Sequence, residues 1–381
     1  MEKPALRGVG RVHALAGQRQ IVADHLLVDK ARSGTYNVRY TTENESHCDL
    51  VRSYAPEGPR RSRGVPVGYA FGPMRAEIRR FARTRPLKMA ALALADIATV
   101  IAVAGGCTLL TNAAGALPGA LFYMATLPLL GSRLRGLECL VHDGAHYNWS
   151  RESRKGNDLL ADLLAAAPML SSIAAMRQSH GPHHGDWAGA TDVDLPRYNS
   201  DRLHDLRCRA RLSPWRFALE IGVRLPRYAA NWFRAIGTSP AVAARGVAWH
   251  ACVLLFPLTM AFGVHDALVY WTAFFAIPFL FVLPVIRLIG EADEHDYQAT
   301  TIFEGTISNI SFWAQLLIHP HGDGYHTLHH IAAWIPGPEL ARAHEWLMRA
   351  DPHGYGSQMR LRPGILADPQ KLAEFQDGRA R

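Results

Sequence analysis

Charged residues and cysteine are both scarce in this chain. Lysine, arginine, aspartate and glutamate make up 19% of its 381 residues, whereas hydrophobic residues make up 49%. The five cysteines include no CxxC pair, which argues against a zinc ribbon or an iron–sulfur cluster. The N-terminal residues lack the apolar stretch of a secretory signal peptide, and the sequence has no haem, flavin or rubredoxin-like motif. These absences leave the apolar runs and the histidines as the informative features.

The excess of positive charge does not by itself indicate a nucleic-acid partner. The formal net charge is +8, and a basic stripe on a soluble domain would be typical of nucleic-acid binding. In this chain the basic residues bracket apolar runs instead. Membrane proteins carry such an excess in the segments that stay in the cytosol. We therefore expect no nucleic-acid partner.

Four apolar runs are long enough to cross a bilayer, whose hydrocarbon core requires about 20 apolar residues per helix. They lie in two close pairs, at residues 89–110, 113–131, 246–265 and 267–286. Buried helices of a soluble core are the alternative, but four such runs in two tight pairs favour membrane helices. We predict an all-α integral membrane protein with four transmembrane helices in two hairpins. Residues 71–381 would form this domain, and residues 1–70 a polar N-terminal extension in the cytosol.

Charge asymmetry orients the two predicted hairpins. The links within the pairs, around Thr111–Asn112 and at Asp266, contain no lysine or arginine, whereas the segments before, between and after the pairs are rich in arginine. By the positive-inside rule, the links face away from the cytosol. Both termini and the central segment then lie in the cytosol, where they would form a histidine-rich helical cap.

Nine histidines cluster in these cytosolic segments with a repeated spacing. The stretches HDGAH, HGPHH and HTLHH place histidines at i and i+4, or at i, i+3 and i+4, which lie on one face of a helix. A lone histidine follows the fourth predicted span. The nine positions are His142, His146, His180, His183, His184, His295, His326, His329 and His330. A single HxxxH pair is weak evidence, but the ordered set on one side of a membrane predicts a shared metal centre.

The number of histidines implies two metal ions, because nine imidazoles exceed the ligands of one octahedral ion. Imidazole binds iron, zinc, copper and nickel. A two-ion site with many neutral ligands beside a hydrocarbon phase indicates oxygen chemistry on a lipid. A metal transporter is a distant alternative, because transport requires polar residues within the spans and these clusters lie outside them.

The order of the histidine clusters resembles that of the membrane fatty acid desaturase family, whose relatives include alkane hydroxylases and carotenoid oxygenases. Three further stretches support the resemblance: TDVDLPRY at residues 191–198, the Glu294–His295 pair, and GYHTLHHIAAWIPGPEL around the third cluster. The similarity covers roughly residues 85–348. It implies that the nine histidines ligate two non-haem ferrous ions (Fe2+), with O2 as co-substrate.

Three other residues are candidates for contacts around the metal ligands. Glu291 stands four residues before His295, where acyl-thioester desaturases have asparagine. Its carboxylate is compatible with three roles: a direct ligand, a hydrogen-bond acceptor for a ligand, or a solvated group. His321, beside the third cluster, and Asp192, in the acidic stretch, are the other two candidates.

The resemblance implies O2-dependent desaturation of a fatty acyl chain or a similar lipid. A hydroxylase or ketolase that acts on a lipid or alkane through the same di-iron centre is the nearest alternative, because the histidine pattern does not separate the two. The electrons would come from a separate protein of ferredoxin or cytochrome type, since the chain has no redox motif of its own. An arginine-rich cytosolic face suits an acidic donor.

Overall fold

The computed structural model describes residues 26–30, 36–40, 63–209, 212–236 and 239–372. The chain divides into two compact units, Met1–Tyr54 and Ala55–Arg381. In the first unit, strands β1 (Leu26–Lys30) and β2 (Tyr36–Tyr40) form an antiparallel hairpin. Most of the predicted N-terminal extension lies outside the described residues, so its cytosolic placement stays a prediction.

The second unit is mostly helical, which confirms the predicted helical class. Its helices are α1 (Arg75–Ile78), α2 (Pro86–Ala114), α3 (Ala116–Ala145), α4 (Arg154–Ala161), α5 (Ile173–Gly185), α6 (Asp194–Ser200), α7 (Leu203–Arg207), α8 (Pro214–Ile236), α9 and α10 as the two arms of the stretch Pro240–Glu294, α11 (Ile302–Gly305), α12 (Phe312–Leu317), α13 (His326–Ile331) and α14 (Gly337–Ala350). Strands β3 (Arg360–Leu361) and β4 (Gln370–Lys371) form a small antiparallel sheet near the end of the described chain.

Helices α2 and α3 form the first hairpin, and Gly115 makes the turn between them. Gly115 has φ 97° and ψ 174°, a backbone conformation that is essentially restricted to glycine. The predicted link at Thr111–Asn112 is wrong, because both residues belong to the last turn of α2. Apolar composition does not show where a helix reverses, whereas a glycine that adopts a positive φ does.

Gly263 makes the turn of the second hairpin. It has φ 84° and ψ 165° and divides the stretch Pro240–Glu294 into α9 (residues 240–262) and α10 (residues 264–294). The predicted link at Asp266 is therefore wrong by a few residues, since Asp266 lies within α10. As in the first hairpin, the chain reverses at the glycine and not at the polar residue.

The two arms of the second hairpin are antiparallel, and the two hairpins contact each other. The ring centroids of His250 in α9 and Phe275 in α10 lie 4.3 Å apart, which requires α10 to fold back along α9. Between the hairpins, the hydroxyl of Tyr123 in α3 donates a hydrogen bond of 2.7 Å to the carbonyl of Ala273 in α10. The four long helices therefore pack as one bundle.

Two helical stretches, Pro86–Ala114 and Pro240–Glu294, are long and apolar enough to cross a membrane. In the first stretch, only 22% of the most apolar part is buried within the protein. In the second stretch, 44% of the most apolar part is buried. Large apolar side chains such as Leu87, Ile101 and Phe256 are exposed. An exposed apolar surface of this kind is unfavourable in water and suits contact with lipid. The four-span topology itself stays a prediction.

Two clusters of buried apolar residues hold the open ends of the hairpins in place. One cluster includes Leu140 of α3, Leu283 of α10 and Met169, which lies between α4 and α5. The other includes Leu328 of α13 and Phe81, which precedes α2. Together they fix the ends of α3, α5, α10 and α13 around a group of histidines.

Candidate metal centre

Four parts of the fold bring the nine predicted histidines together. The first cluster lies at the end of α3, the second in the last two turns of α5, and the third in α13, while the lone His295 follows α10 directly. Six of the nine side chains are buried and three are partly buried. The nine form two adjoining groups, of which the first is His142, His146, His180, His184 and His329, and the second His183, His295, His326 and His330.

In the first group, ring nitrogens from three helices approach each other closely. The Nε2 atoms of His142 and His180 lie 2.7 Å apart, and those of His184 and His329 lie 3.0 Å apart. The Nε2 atom of His146 is buried without a hydrogen-bond partner among the described residues, although its ring centroid is 4.7 Å from that of His184. A buried polar atom without a partner costs free energy. A metal ion would provide that partner, and the neighbouring imidazoles are suitable ligands for it.

In the second group, His295 occupies the centre. Its Nε2 atom lies 3.2 Å from that of His183, 2.9 Å from that of His326 and 3.1 Å from that of His330. Nitrogen ligands at right angles around an ion, each about 2.1 Å from it, lie about 3 Å apart. The measured separations in both groups are close to this spacing, so the donor atoms fit metal coordination.

The protonation states of the imidazoles also suit metal binding. Burial lowers the pKa of eight of the nine below the ordinary value for histidine, and in most of them the charges of neighbouring imidazoles lower it further. A lowered pKa keeps the ring neutral near pH 7. A neutral imidazole has a nitrogen lone pair for a metal ion, whereas an imidazolium has none.

His183 differs from the other eight because Asp192 holds its second ring nitrogen. Its Nδ1 atom lies 3.0 Å from Oδ1 of Asp192, whose Oδ2 accepts a hydrogen bond of 2.8 Å from the N–H of Ala188. Burial lowers the pKa of His183, but the hydrogen bond to Asp192 and the charge of Asp194 outweigh burial and raise it. When Nδ1–H donates a hydrogen bond to Asp192, the Nε2 lone pair is directed at the second group. Asp192 thus contacts one of the nine histidines, and its role beside a metal ligand stays a prediction.

Glu291 lies among arginines and makes no direct contact with the nine histidines. Its carboxylate forms ion pairs with Arg287 at 2.9 Å and with Arg197 at 3.2 Å. Arg197 also pairs with Asp194, whose Oδ2 lies 3.6 Å from Nδ1 of His183. The hypothesis that Glu291 is a direct ligand therefore finds no support in the geometry. Arg287 is four residues before Glu291 in α10, whereas Arg197 comes from a distant segment, which the spacing from His295 does not reveal.

His321 likewise contacts α2 and not the histidine groups. Its Nε2 atom lies 2.6 Å from Oδ2 of Asp96 in α2, and Oδ1 of Asp96 accepts a hydrogen bond of 3.1 Å from Arg133 in α3. This chain of contacts ties the segment before α13 to both helices of the first hairpin. The contact with Asp96 thus fixes the side chain of His321, and its role near the metal centre stays a prediction.

Another set of potential ligands borders the two histidine groups and consists of Glu294, His319 and Asp323. Nδ1 of His319 lies 3.1 Å from Oδ2 of Asp323 and 3.5 Å from Oε1 of Glu294. Oδ1 of Asp323 lies 3.8 Å from Nδ1 of His142, and Arg135 donates a 3.0 Å hydrogen bond to Oδ2. Asp323 was not among the residues predicted from the sequence, although it stands four residues after His319.

The charges in this cluster depend on one another. Burial lowers the pKa of His319, but the hydrogen bond to Asp323 and the nearby carboxylates of Asp293 and Glu294 outweigh burial and raise it well above its ordinary value. Burial raises the pKa of Asp323, but Arg135 and His319 hold it well below its usual range. The carboxylates around His319 thus shift its pKa in the opposite direction from those of most of the imidazoles beside it.

An apolar cavity of about 350 Å³ lies between the two hairpins. Side chains of α2, α3, α9 and α10 line it, and Asp96 and Arg133 are its charged residues. None of the nine histidines is part of its lining. The cavity suits an acyl chain, but its walls do not reach the histidine groups.

The comparison with known proteins agrees with this geometry. A protein-family model described as fatty acid desaturase matches residues 118–362, a segment that contains all nine histidines. No curated protein matches the chain. Because the family model covers more than half of the sequence, the chain belongs to the fatty acid desaturase family, and the resemblance seen in the sequence is confirmed. Membership in this membrane-associated family makes the protein an oxidoreductase of lipid metabolism.

Proposed function

We propose that the protein is an O2-dependent di-iron enzyme that removes two hydrogens from a fatty acyl chain or a similar lipid. The observation that carries the proposal is the convergence of nine imidazoles into two adjoining groups whose Nε2 atoms are about as far apart as ligands of one ion. Family membership favours iron over the other metals that imidazole binds. Two irons held there would supply the O2-dependent oxidation of an unactivated carbon.

The chain's own residues hold and orient the ligands. Burial keeps the imidazoles of His180, His184 and His329 neutral, so that their lone pairs remain free for metal binding. Asp192 fixes the ring orientation of His183 through Nδ1. Because most of the nine side chains are buried, bulk water has little access to the reacting carbon.

Desaturation is the preferred outcome, and hydroxylation or ketolation on the same centre is the second candidate. A carboxylate ligand at Glu291 would have been the main sequence argument for oxygen insertion. The ion pairs of Glu291 with Arg287 and Arg197 weigh against that argument, because the two arginines compete with a metal ion for the carboxylate. The electrons are proposed to come from a separate ferredoxin-type or cytochrome-type protein.

We further propose that the long helices cross the membrane as two hairpins that enter from the cytosol. In support, α3 and α10 both end at histidine clusters, so the open ends of the two hairpins meet at the metal centre, while Gly115 and Gly263 lie at the opposite ends of the helices. This arrangement would place every histidine of the two groups on one side of the bilayer.

Isotopically labelled dioxygen tests the proposed reaction. Cells or membranes that contain the protein are supplied with 18O2, and their lipids are analysed by mass spectrometry beside a His329→Ala control. Desaturation predicts a new double bond without label in the lipid, because the label goes to water. A labelled hydroxyl or keto group that depends on His329 would contradict desaturation and establish the second candidate. The absence of any His329-dependent lipid product would contradict both.

A further inference from the structure

A groove rich in arginine lies where helix α14 packs against the segment that precedes α2. Its volume is about 450 Å³. The arginines that line it, here called the arginine groove, are Arg80, Arg83, Arg85, Arg342 and Arg349. Only two carboxylates, those of Glu339 and Glu345, share the lining, so the groove carries an excess of positive charge.

The carboxylates of the protein leave much of this charge uncompensated. Glu339 is already engaged, since it pairs with Lys88 at 2.9 Å and with Arg342 at 2.9 Å. The guanidinium groups of Arg83 and Arg349 are exposed and make no hydrogen bond or ion pair with the described residues. Guanidinium groups gathered in one groove repel each other, and an anion with several oxygens relieves that repulsion through charge-assisted hydrogen bonds.

Aromatic side chains give the arginine groove a fixed wall. The guanidinium carbon of Arg80 lies 4.8 Å from the ring centroid of Phe81 and 5.1 Å from that of Trp346. Such cation–π contacts hold Arg80 in place without neutralising its charge. Tryptophan, with an apolar body and a polar N–H, is enriched at the boundary between membrane and water.

The groove lies at the base of an apolar surface stripe. Helix α2 begins at Pro86, directly after Arg85, and Leu87, Leu94 and Ile101 follow at intervals of seven residues on one face. These three side chains are 86%, 52% and 62% exposed. The groove residue Arg85 thus stands two residues before the first side chain of an exposed apolar stripe. An anionic lipid has the same order, a charged headgroup followed by apolar chains.

We propose that the arginine groove binds the phosphate headgroup of an anionic phospholipid whose acyl chains lie along α2. The ligand would be a membrane lipid with a fixed place on the protein and separate from the substrate at the histidine groups. This inference rests on the proposed membrane insertion of α2 and is independent of the reaction at the metal centre. It predicts that one lipid with net negative charge remains bound when bulk lipid is removed.

Native mass spectrometry of the purified full-length protein tests this inference. The protein in detergent is titrated with dioleoylphosphatidylglycerol, and separately with dioleoylphosphatidylcholine and with inorganic phosphate. The Arg83→Gln/Arg349→Gln variant loses two guanidinium groups of the groove, whereas Arg75→Gln/Arg216→Gln loses two exposed arginines outside it. Each arginine near an anionic headgroup contributes about 5-fold to affinity, so the groove variant should bind phosphatidylglycerol about 25-fold more weakly.

The control variant should bind phosphatidylglycerol like the wild type, and both variants should keep their binding of phosphatidylcholine, which shows an intact apolar surface. An equal loss in both double variants would overturn the inference, because the effect would then be one of net charge. Inorganic phosphate that binds as tightly as the lipid would overturn the role of the acyl chains. Unchanged lipid binding by the groove variant, with a loss of binding to an acidic ferredoxin, would assign the groove to an electron donor instead.

Discussion

His183 is the one imidazole of the nine that a hydrogen bond to a carboxylate holds through its second ring nitrogen. Asp192 provides this contact at 3.0 Å, and its other oxygen is fixed by the N–H of Ala188. Such partners orient a ligand ring and raise its basicity. Asp192 was a candidate from the sequence because it belongs to the acidic stretch that follows the second histidine cluster. A carboxylate so near the cluster along the chain also lies near it in the fold.

Replacement of Asp192 should weaken metal binding without preventing folding. Asp192→Ala removes the acceptor for Nδ1 of His183, and loss of such a partner typically lowers metal affinity about 10- to 100-fold. Asp192→Asn keeps an acceptor oxygen and should recover part of the affinity. Anaerobic titration of the metal-free protein with Fe2+ measures both effects. Asp266→Asn, at an exposed position in α10, is the matched control, and an affinity unchanged in Asp192→Ala would refute this role.

The stability of the metal-free protein should fall as the pH falls below about 6.5, the pKa of unperturbed histidine. Eight of the nine imidazoles have a lowered pKa in the folded state, so the unfolded state binds more protons in this range and gains stability. His183 and His319, with raised pKa values, and Asp143, raised to about 6, act in the opposite sense but are fewer.

Differential scanning fluorimetry in detergent at pH 7.5, 6.5 and 5.5 measures this dependence. Most carboxylates are already ionised throughout that range, so histidine titration dominates the change. The melting temperature of the metal-free protein should decrease over both steps. A melting temperature that stays constant or rises as the pH falls would show that the imidazoles are not held neutral.

At the scale of the helices, two glycines decide where the hairpins reverse. Gly263→Ala should lower the free energy of unfolding by roughly 1–3 kcal/mol, because φ 84° and ψ 165° are accessible essentially to glycine alone. Gly105→Ala, in the interior of α2 with open space around it, should be neutral or slightly stabilising. Reversible unfolding in mixed micelles compares the two variants. Equal effects of both substitutions would contradict the assignment of the turn to Gly263.

The helices could be predicted because their sequence patterns are local. The positions of the turns and the contacts between distant segments depend on the whole fold and were harder to predict. The apolar runs predicted the long helices, and the i, i+3, i+4 spacing in HTLHH predicted the shared face of α13. The turns were misplaced because the polar residues Asn112 and Asp266 suggested links, whereas the backbone reverses at the nearby glycines. The ion pair of Glu291 with Arg287 follows the helical i,i+4 spacing, whereas its partner Arg197 comes from a distant part of the chain and could not be predicted from local spacing.

For the whole molecule, the topology determines whether the histidine groups can assemble on one side of the membrane. Reporter domains inserted at Gly115 and Gly263, the turns that the structure defines, should lie outside the cytosol. Reporters at Ser200 and Ser357 should lie inside it, because arginine-rich segments stay in the cytosol. Alkaline phosphatase and green fluorescent protein fusions report the two sides. A cytosolic reporter at Gly263 would contradict the two-hairpin topology.

The central claim is that nine histidines hold two irons, and the iron content of purified variants tests it most directly. The wild-type protein, loaded anaerobically with Fe2+ and freed of excess metal, should contain about two irons per chain, as expected for nine ligands. His146→Ala removes a ligand of the first group and His326→Ala one of the second, so each variant should retain about one iron at equal loading. His265→Ala, at an exposed position far along the chain from both groups, should retain the full wild-type content. A wild-type protein with one iron or none, or an equal loss in the His265→Ala control, would contradict the account.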